Sequence, residues 1–179
     1  MSTLTDQIVQ SLSGNTVTQY IACFIISMIP LVELRGAIPF AYFFKGMNPE
    51  FNLIIGYVII AVGNMIPVPI IFFFARKVLE WGADKKIIGK FFTFCLEKGH
   101  KGGEKLQSKA GNGLFVALML FVGIPLPGTG AWTGTLAASI LDMKFKESIL
   151  AVICGVALAG VIVGVLCSLG FTAWFNIAG

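Results

Sequence analysis

The sequence predicts an all-α integral membrane protein, built as an inverted repeat of two units that each contain a re-entrant helical hairpin and a transmembrane helix. Three observations lead to this prediction. Hydrophobic residues make up 56% of the 179 residues and charged residues only 12%, about half the charged fraction of soluble domains. The charges are confined to a few segments and leave long apolar stretches between them. Two of these stretches are broken at their centres, and the same order of features recurs in both halves of the chain.

Two apolar stretches are continuous enough to cross a bilayer. Residues 51–75 and 148–175 contain no charged side chain and exceed the about 20 apolar residues that a spanning helix needs. The first of them contains Asn64, Pro67 and Pro69, which either line a cavity or only kink the helix. We expect one transmembrane helix in each of these stretches.

Two other stretches, residues 16–45 and 113–141, carry helix-breaking residues near their middle. In the second stretch, two arms of about 12 residues flank the break, and each arm reaches only about 18 Å, or half a bilayer. Pro125 and Pro127 remove backbone donors, and Gly128 permits a tight reversal of the chain. Both stretches therefore predict re-entrant hairpins.

The two broken stretches align at an offset of 95 residues, since Ile29-Pro30-Leu31 falls on Ile124-Pro125-Leu126. Each break is followed by a short apolar arm, a polar turn and a full span. One returning hairpin plus one span crosses the membrane an odd number of times, so the second unit would be inverted. Inverted repeats with broken helices are a common build of secondary transporters. We expect these repeats over residues 1–75 and 110–179.

Residues 76–109 form a basic linker between the repeats. The linker holds nine of the 13 lysines and arginines, and Lys144 and Lys146 would lie on the same face of the membrane. The positive-inside rule then places the linker in the cytoplasm and both termini outside. Residues 85–101 separate apolar from charged side chains at helical spacing, which indicates either a helix on the membrane surface or a solvated loop whose lysines only set topology.

Glu33 and Arg35 are the strongest chemical signal, because they lie in the break of the first hairpin. Ionisable groups at membrane depth are costly, so they usually pair or face an aqueous path. Arg35 can hold an anionic group through two parallel hydrogen bonds, and Glu33 can carry a proton. Alternatively, the two side chains only neutralise each other, or the hairpin is a surface loop.

The second hairpin contributes backbone amides, hydroxyls and an aromatic ring, but no charge. Its glycines allow a ligand close to the main chain, and a half-helix beginning near Thr129 would direct its positive end at the ligand. The alternative is that the glycines only allow tight helix packing. The expected substrate-binding residues are Arg35, Gly36, Gly128, Thr129, Gly130, Trp132 and Thr133, with Glu33 as the proton-coupling residue.

The sequence predicts neither a metal site nor a cofactor. The four cysteines, Cys23, Cys95, Cys154 and Cys167, have no short ligand spacing, and the single histidine, His100, lies among lysines. An enzyme acting on a lipid phosphate would need a nucleophile with a basic partner, or a pair of carboxylates, at membrane depth. We therefore do not expect an enzyme.

Two motifs carry a resemblance to a known family. With VELRGAIP at residues 32–39 and PLPGTGAW at residues 125–132, the chain resembles the small multidrug export protein family of prokaryotic membrane proteins over nearly its full length. The arrangement is also similar to the wider DedA/VTT group, in which paired re-entrant hairpins face each other and several members are implicated in moving lipids. These resemblances imply a multi-pass protein of the prokaryotic inner membrane.

The expected function is therefore a transporter or lipid translocase for an anionic amphiphile, coupled to protons or sodium. Drug export, as the family name suggests, and a non-catalytic role in membrane assembly remain alternatives. Two hairpins and two spans make a thin wall for a closed cavity, so we expect a homo-oligomer. The net charge of +4 is concentrated in a few segments, which argues against a nucleic-acid partner.

Overall fold

The structure is a computed structural model that describes residues 15–30, 32–83, 113–126 and 128–178. In these segments the chain forms seven α-helices and no strand. They are α1 (Thr16–Met28), α2 (Glu33–Met47), α3 (Leu53–Met65), α4 (Pro67–Ala83), α5 (Gly113–Gly123), α6 (Ala131–Ile140) and α7 (Phe145–Ala178). The predicted surface helix of the linker lies outside the described residues. The all-helical fold class is confirmed.

Within the described residues, two helical stretches are long and apolar enough to cross a membrane. They cover Leu53–Ala75, with 23 residues, and Phe145–Gly170, with 26 residues. At 1.5 Å per residue these are about 35 and 39 Å long, against about 30 Å for the hydrocarbon core. The first stretch is interrupted at Ile66, because Pro67 begins a new helix and has no N–H to donate to the preceding turn. Both predicted spans thus coincide with helical stretches of sufficient length and apolar composition to cross a membrane.

The chain divides into two compact units whose limits cut across both spans. Unit 1 comprises Met1–Asn64 and Ala159–Gly179, and unit 2 comprises Met65–Leu158. Unit 1 thus contains the hairpin α1–α2, helix α3 and the C-terminal part of α7. Unit 2 contains α4, the hairpin α5–α6 and the N-terminal part of α7. Each unit combines one hairpin with parts of both spans.

In unit 1, asparagines fix the open end of the first hairpin. The Asn15 side chain accepts a hydrogen bond of 2.9 Å from the Val17 N–H and caps α1. At the end of α2, the Asn48 amide donates to Thr16 Oγ1 at 2.9 Å and to Gln19 Oε1 at 3.1 Å. These bonds hold the start of α1 against the end of α2, and they satisfy the buried Gln19.

Helices α1 and α3 run in the same direction. Near their starts, the Asn52 N–H donates to the Tyr20 hydroxyl at 2.9 Å. Near their ends, Gly63 packs so closely on Ser27 that a Cβ there would overlap Ser27 Oγ. Both helices therefore end at the level of the hairpin tip.

Helix α7 completes unit 1 by packing on α2. A Cβ at Gly160 would lie 3.8 Å from Leu34 Cδ1, and the Tyr42 hydroxyl donates to the Gly164 carbonyl at 3.1 Å. Gly160 thus places α7 beside the residue that follows Glu33. Small residues are the usual means by which membrane helices approach closely.

Unit 2 is also held together by close contacts at glycines. A Cβ at Gly134 would lie 2.5 Å from Val122 Cγ2, and one at Gly155 would lie 2.6 Å from Val122 Cβ. These contacts place α6 and α7 against the same residue of α5. In addition, the buried Ser139 hydroxyl donates to the Phe72 carbonyl at 3.0 Å and ties α6 to α4.

Candidate functional site

The tip of the first hairpin is a short non-helical segment between Met28 and Glu33. The Glu33 N–H donates to the Ile29 carbonyl at 3.0 Å, and the Gly36 N–H donates to the Val32 carbonyl at 2.9 Å. Glu33 has a φ of 49°, in the left-handed region that costs a residue with a Cβ about 1–2 kcal/mol. Such conformations occur preferentially at functional sites.

The structure places Glu33 and Arg35 together at this tip. Glu33 is 5% exposed and Arg35 is half-buried. Burial disfavours the positive charge of Arg35, and the nearby carboxylate of Glu33 offsets part of this effect. The buried residues of α2 are Glu33, Leu34, Ala37, Ile38, Ala41 and Phe44. Glu33 is thus the one carboxylate on an otherwise apolar buried face of this helix.

Gly36, another predicted binding residue, makes room within the tip. It is half-buried on α2, and a Cβ at this position would overlap Val32 Cγ1. The absence of a side chain therefore lets Val32 pack over the start of the helix, one turn before it.

The tip of the second hairpin is longer and relies on glycine. Gly128 has a φ of 81° and Gly130 a φ of 142°, both in the region that favours glycine. Gly128 is exposed, and a Cβ there would meet no atom within 4 Å. The expected helix start near Thr129 is wrong by two residues, because the non-helical backbone of Gly130 delays α6 until Ala131.

The predicted hydroxyls of the second tip have different surroundings. The Thr129 hydroxyl lies 2.9 Å from the carbonyls of both Ile124 and Leu126 and closes the loop on itself. Thr133 is half-buried, and its hydroxyl lies 3.5 Å from the Gly130 carbonyl, which is a weak hydrogen bond. Trp132 is half-buried beside it. Of the two threonines, Thr133 therefore has the hydroxyl less committed to the fold.

Asn64 and Ser27 are two buried polar residues near the first tip. Asn64 is 2% exposed, and its Oδ1 has no hydrogen-bond partner in the described part of the chain. Ser27 is fully buried, and its hydroxyl donates to the Phe24 carbonyl at 2.7 Å. The sequence pattern left the role of Asn64 open and gave no reason to select Ser27. The available signal for Ser27 was its position in the last turn before a helix break.

The two sets of candidates fall in different units. The first-hairpin residues Glu33, Arg35 and Gly36 lie in unit 1, and the five candidates of the second hairpin lie in unit 2. In the described segments, no group of three His, Cys, Asp or Glu side chains could hold a metal ion. His100 and Cys95 lie outside the described residues.

A surface depression lies away from the first tip. It is lined by Lys45, Glu50 and Asn52 with neighbouring residues of the turn between α2 and α3. The Lys45 ammonium there donates to the Pro49 carbonyl at 2.9 Å. This depression is at the opposite end of α2 from Glu33, so it is not part of the candidate site.

Comparisons with known proteins relate the chain to one family. Neither the curated proteins nor the solved structures give a match, and the resemblance to the DedA/VTT group stays a prediction. The family model described as "Putative small multi-drug export protein" matches residues 33–162. The match begins at Glu33 and includes the second tip, so it spans both candidate sets. Because it covers more than half of the chain, the protein belongs to this family of small multidrug export membrane proteins.

Proposed function

We propose that this protein is a transporter or lipid translocase that moves an anionic amphiphile, such as a lipid phosphate, across the prokaryotic inner membrane. The observation that carries the proposal is the buried carboxylate of Glu33 near Arg35, in the break of the first helical hairpin. Family membership supports export of a small molecule in general.

Arg35 is the proposed anion-binding group. A guanidinium stays charged at any ordinary pH and presents a planar fork of donors that matches a phosphate or carboxylate. At membrane depth this charge costs about 2.5–3.5 kcal/mol on insertion scales unless it is compensated. Glu33 offsets part of this cost electrostatically, and an anionic head group would compete for the same role.

Glu33 is the proposed coupling group. When an anion engages Arg35, the Glu33 carboxylate loses its counter-charge while it remains buried. A buried carboxylate without a counter-charge favours the neutral, protonated form. Binding of the anion and uptake of a proton would then be linked, which gives the proton gradient a way to drive transport.

The second hairpin is proposed to approach the substrate from the other side of the membrane, with Gly128, Gly130, Trp132 and Thr133 in contact with it and Thr129 shaping the loop. Two observations support an internal repeat, of which the proposed inversion is the topological consequence. The first helices of the two hairpins end at Met28 and Gly123, 95 residues apart. This is the offset that aligns the two Ile-Pro-Leu segments. The same offset relates the positive φ of Glu33 to that of Gly128.

The proposed topology has a cytoplasmic linker and external termini, because residues 76–109 hold nine of the 13 basic residues. We also propose a homo-oligomer, since two hairpins and two spans alone cannot enclose a wide path. Export of an amphiphilic drug is the second candidate function, and the family description favours it.

A lipid-flipping assay in reconstituted vesicles tests the proposal. Fluorescently labelled phosphatidylglycerol is the anionic probe, labelled phosphatidylcholine is the control lipid, and an impermeant quencher reports movement between leaflets. We expect faster movement of the anionic probe, and a change in rate when a pH gradient is imposed. Arg35→Lys should slow this movement about tenfold, because the bidentate donor is lost. Glu33→Gln should abolish the effect of the pH gradient.

Lys45→Ala is the matched control, because Lys45 is an exposed basic residue on the same helix. It should leave the rate unchanged. If the parent protein moves neither lipid but exports a cationic amphiphilic dye, the drug-export function replaces the proposed one. If Arg35→Ala and Glu33→Gln behave as the parent protein, the pair is structural and the site assignment is wrong. A role in membrane assembly would then account better for the protein.

A further inference from the structure

The surface depression at the end of α2 holds two opposite charges that the candidate site does not use. It has a volume of about 330 Å³, and its lining includes Lys45, Glu50, Phe51, Asn52, Leu53 and Ile54. In the described part of unit 1, the charged side chains are Glu33, Arg35, Lys45 and Glu50. Of these, Glu33 and Arg35 lie at the hairpin tip, so one lysine and one glutamate supply the charge at this end.

The two charged side chains of the depression arise close together. The Lys45 ammonium donates to the Pro49 carbonyl at 2.9 Å, and the carbon of that carbonyl forms the peptide bond to Glu50. An ammonium has three donors, and Lys45 uses one of them here. The Glu50 carboxylate makes no hydrogen bond or ion pair within the described residues. Both charges are therefore available to a ligand.

Hydrogen bonds fix the turn that carries these groups. The Glu50 N–H donates to Asn48 Oδ1 at 2.9 Å, and the Phe51 N–H donates to the Asn48 carbonyl at 3.0 Å. Asn52 Oδ1 accepts from the Ile54 N–H at 2.9 Å and so caps α3. This cap holds the Asn52 carboxamide in place and leaves its two Nδ2 donors for a ligand. The depression thus presents donors and one carboxylate on a defined backbone.

The depression lies where the first span begins. Leu53 is the first residue of that span. Ile54 also lines the depression, and it begins a row of apolar side chains at every fourth residue of α3. Ile54, Val58 and Val62 are 76%, 59% and 52% exposed. An exposed apolar row of this kind on a spanning helix contacts acyl chains. The depression therefore combines a polar head-group site with an apolar surface for a chain.

We propose that this depression binds a zwitterionic phospholipid with a primary amine, phosphatidylethanolamine. The lipid phosphate accepts hydrogen bonds from the Lys45 ammonium and the Asn52 carboxamide, and the lipid ammonium donates to the Glu50 carboxylate. The two charges of the site cancel, as do those of the head group. An anionic lipid leaves Glu50 without a partner, and the choline group of phosphatidylcholine has no N–H to donate.

This inference does not rest on the proposed function. Lys45 lies ten residues after Arg35 on the same helix, or about 15 Å away along its axis. The lipid of this site is therefore distinct from an anion bound at Arg35. Its role is to hold the open end of the first hairpin and the start of the first span at the membrane surface.

Thermal unfolding of the purified full-length protein in detergent micelles tests the site. The micelles contain increasing amounts of phosphatidylethanolamine, phosphatidylcholine or phosphatidylglycerol with the same acyl chains. We expect a saturable rise in Tm of about 2–4 °C with phosphatidylethanolamine only. Lys45→Ala and Glu50→Gln should each lose this rise. Lys146→Ala and Glu147→Gln remove a lysine and a glutamate at the start of α7, and these matched controls should keep it.

Equal rises with phosphatidylethanolamine and phosphatidylcholine would overturn the inference, because the primary amine would have no role. No rise with any of the three lipids would also overturn it, and so would a rise that survives either Lys45→Ala or Glu50→Gln. Free phosphoethanolamine at the saturating lipid concentration should have no effect. A rise as large as that with the lipid would show that the site recognises a soluble compound instead of a membrane lipid.

The lipid-flipping assay separates this inference from the proposed function. Vesicles made of phosphatidylcholine and phosphatidylglycerol contain no primary amine, so Lys45→Ala is a valid control in them. Flipping that depends on Arg35, without a rise in Tm specific to phosphatidylethanolamine, would refute only the head-group site. A specific rise that needs Lys45 and Glu50, in a protein that moves no lipid, would support the site and refute the proposed function.

Discussion

In the first hairpin α1 ends at Met28, and in the second hairpin α5 ends at Gly123. Both breaks contain Ile-Pro-Leu, and both place a positive φ four residues after the isoleucine, at Glu33 and at Gly128. The chemistry at this shared position differs. The second hairpin uses glycine, which adopts the conformation without strain, whereas the first uses a buried glutamate, which does not.

The two tips also differ in how they are closed. The second tip is seven residues long, and Thr129 closes it through contacts with Ile124 and Leu126. The first tip is four residues long and passes directly into α2 at Glu33. The same backbone conformation, a positive φ in the break, thus has a different role in each hairpin. The second hairpin is built mainly for shape, and the first accepts backbone strain to hold a charged group.

The largest expected effect concerns the glycines that pack the spans against each hairpin. A Cβ at Gly63 would lie 2.8 Å from the Phe24 carbonyl oxygen, and one at Gly155 would lie 2.8 Å from the Met119 carbonyl oxygen. Gly63→Ala and Gly155→Ala should each cost about 1–3 kcal/mol of unfolding free energy, because the backbone must move. Gly170→Ala is the control, since nothing lies within 4 Å of its Cβ position. Denaturation in mixed micelles measures these losses, and equal stability of all three variants would show that the helices are less closely packed.

The next effect sharpens the comparison of the two positive-φ positions. Glu33→Gly should have an unfolding free energy about 1 kcal/mol higher than that of Glu33→Gln, because glycine adopts the left-handed backbone conformation without strain. Gly128→Ala should lower the unfolding free energy by about 1 kcal/mol, because alanine is strained at a positive φ, although its Cβ would meet no neighbour. The same denaturation assay compares the three variants. A loss for Glu33→Gly, or no change for Gly128→Ala, would contradict the equivalence of the two positions.

The smallest effect concerns the threonines of the second hairpin. Thr129→Val removes the hydroxyl that closes the loop and should cost about 0.5–1.5 kcal/mol. Thr133→Val should cost less, because its contact with Gly130 is 3.5 Å long. Lipid flipping should fall in Thr133→Val and should be preserved in Thr129→Ser. If flipping instead depends on the Thr129 side chain beyond its hydroxyl, Thr129 contacts the substrate directly.

The sequence was sufficient to predict the all-helical class, the two spans and the helix break after Ile29. Prolines and apolar length determine these features locally, and they do not depend on tertiary contacts. The left-handed φ of Glu33 was not predictable, because glutamate gives no signal for that conformation. The unpaired oxygen of Asn64 was also not predictable, since its surroundings depend on how α3 packs on α1.

The sequence selects the candidate site residues by their type alone. The structure adds the surroundings of each side chain, which separate residues of the same type. Thr129 and Thr133 have the same side chain and lie four residues apart, yet one hydroxyl closes its own loop and the other makes only a weak contact. Glycine and proline patterns located both tips. They could not distinguish a side chain that shapes a tip from one that is free to meet a substrate, because that depends on which carbonyls lie nearby.

The central claim is that two similar hairpins enter the membrane from opposite faces. The first tip is then accessible from outside the cell and the second from the cytoplasm. Cysteine labelling in intact and permeabilised cells tests this most directly, with the native cysteines replaced by alanine. Pro30 and Leu126 are exposed in corresponding tips and serve as single-cysteine positions. We predict that Pro30→Cys reacts with an impermeant maleimide added outside, and that Leu126→Cys reacts only after permeabilisation. Reaction of both positions from the same face would contradict the inverted repeat, and with it the proposed transport mechanism.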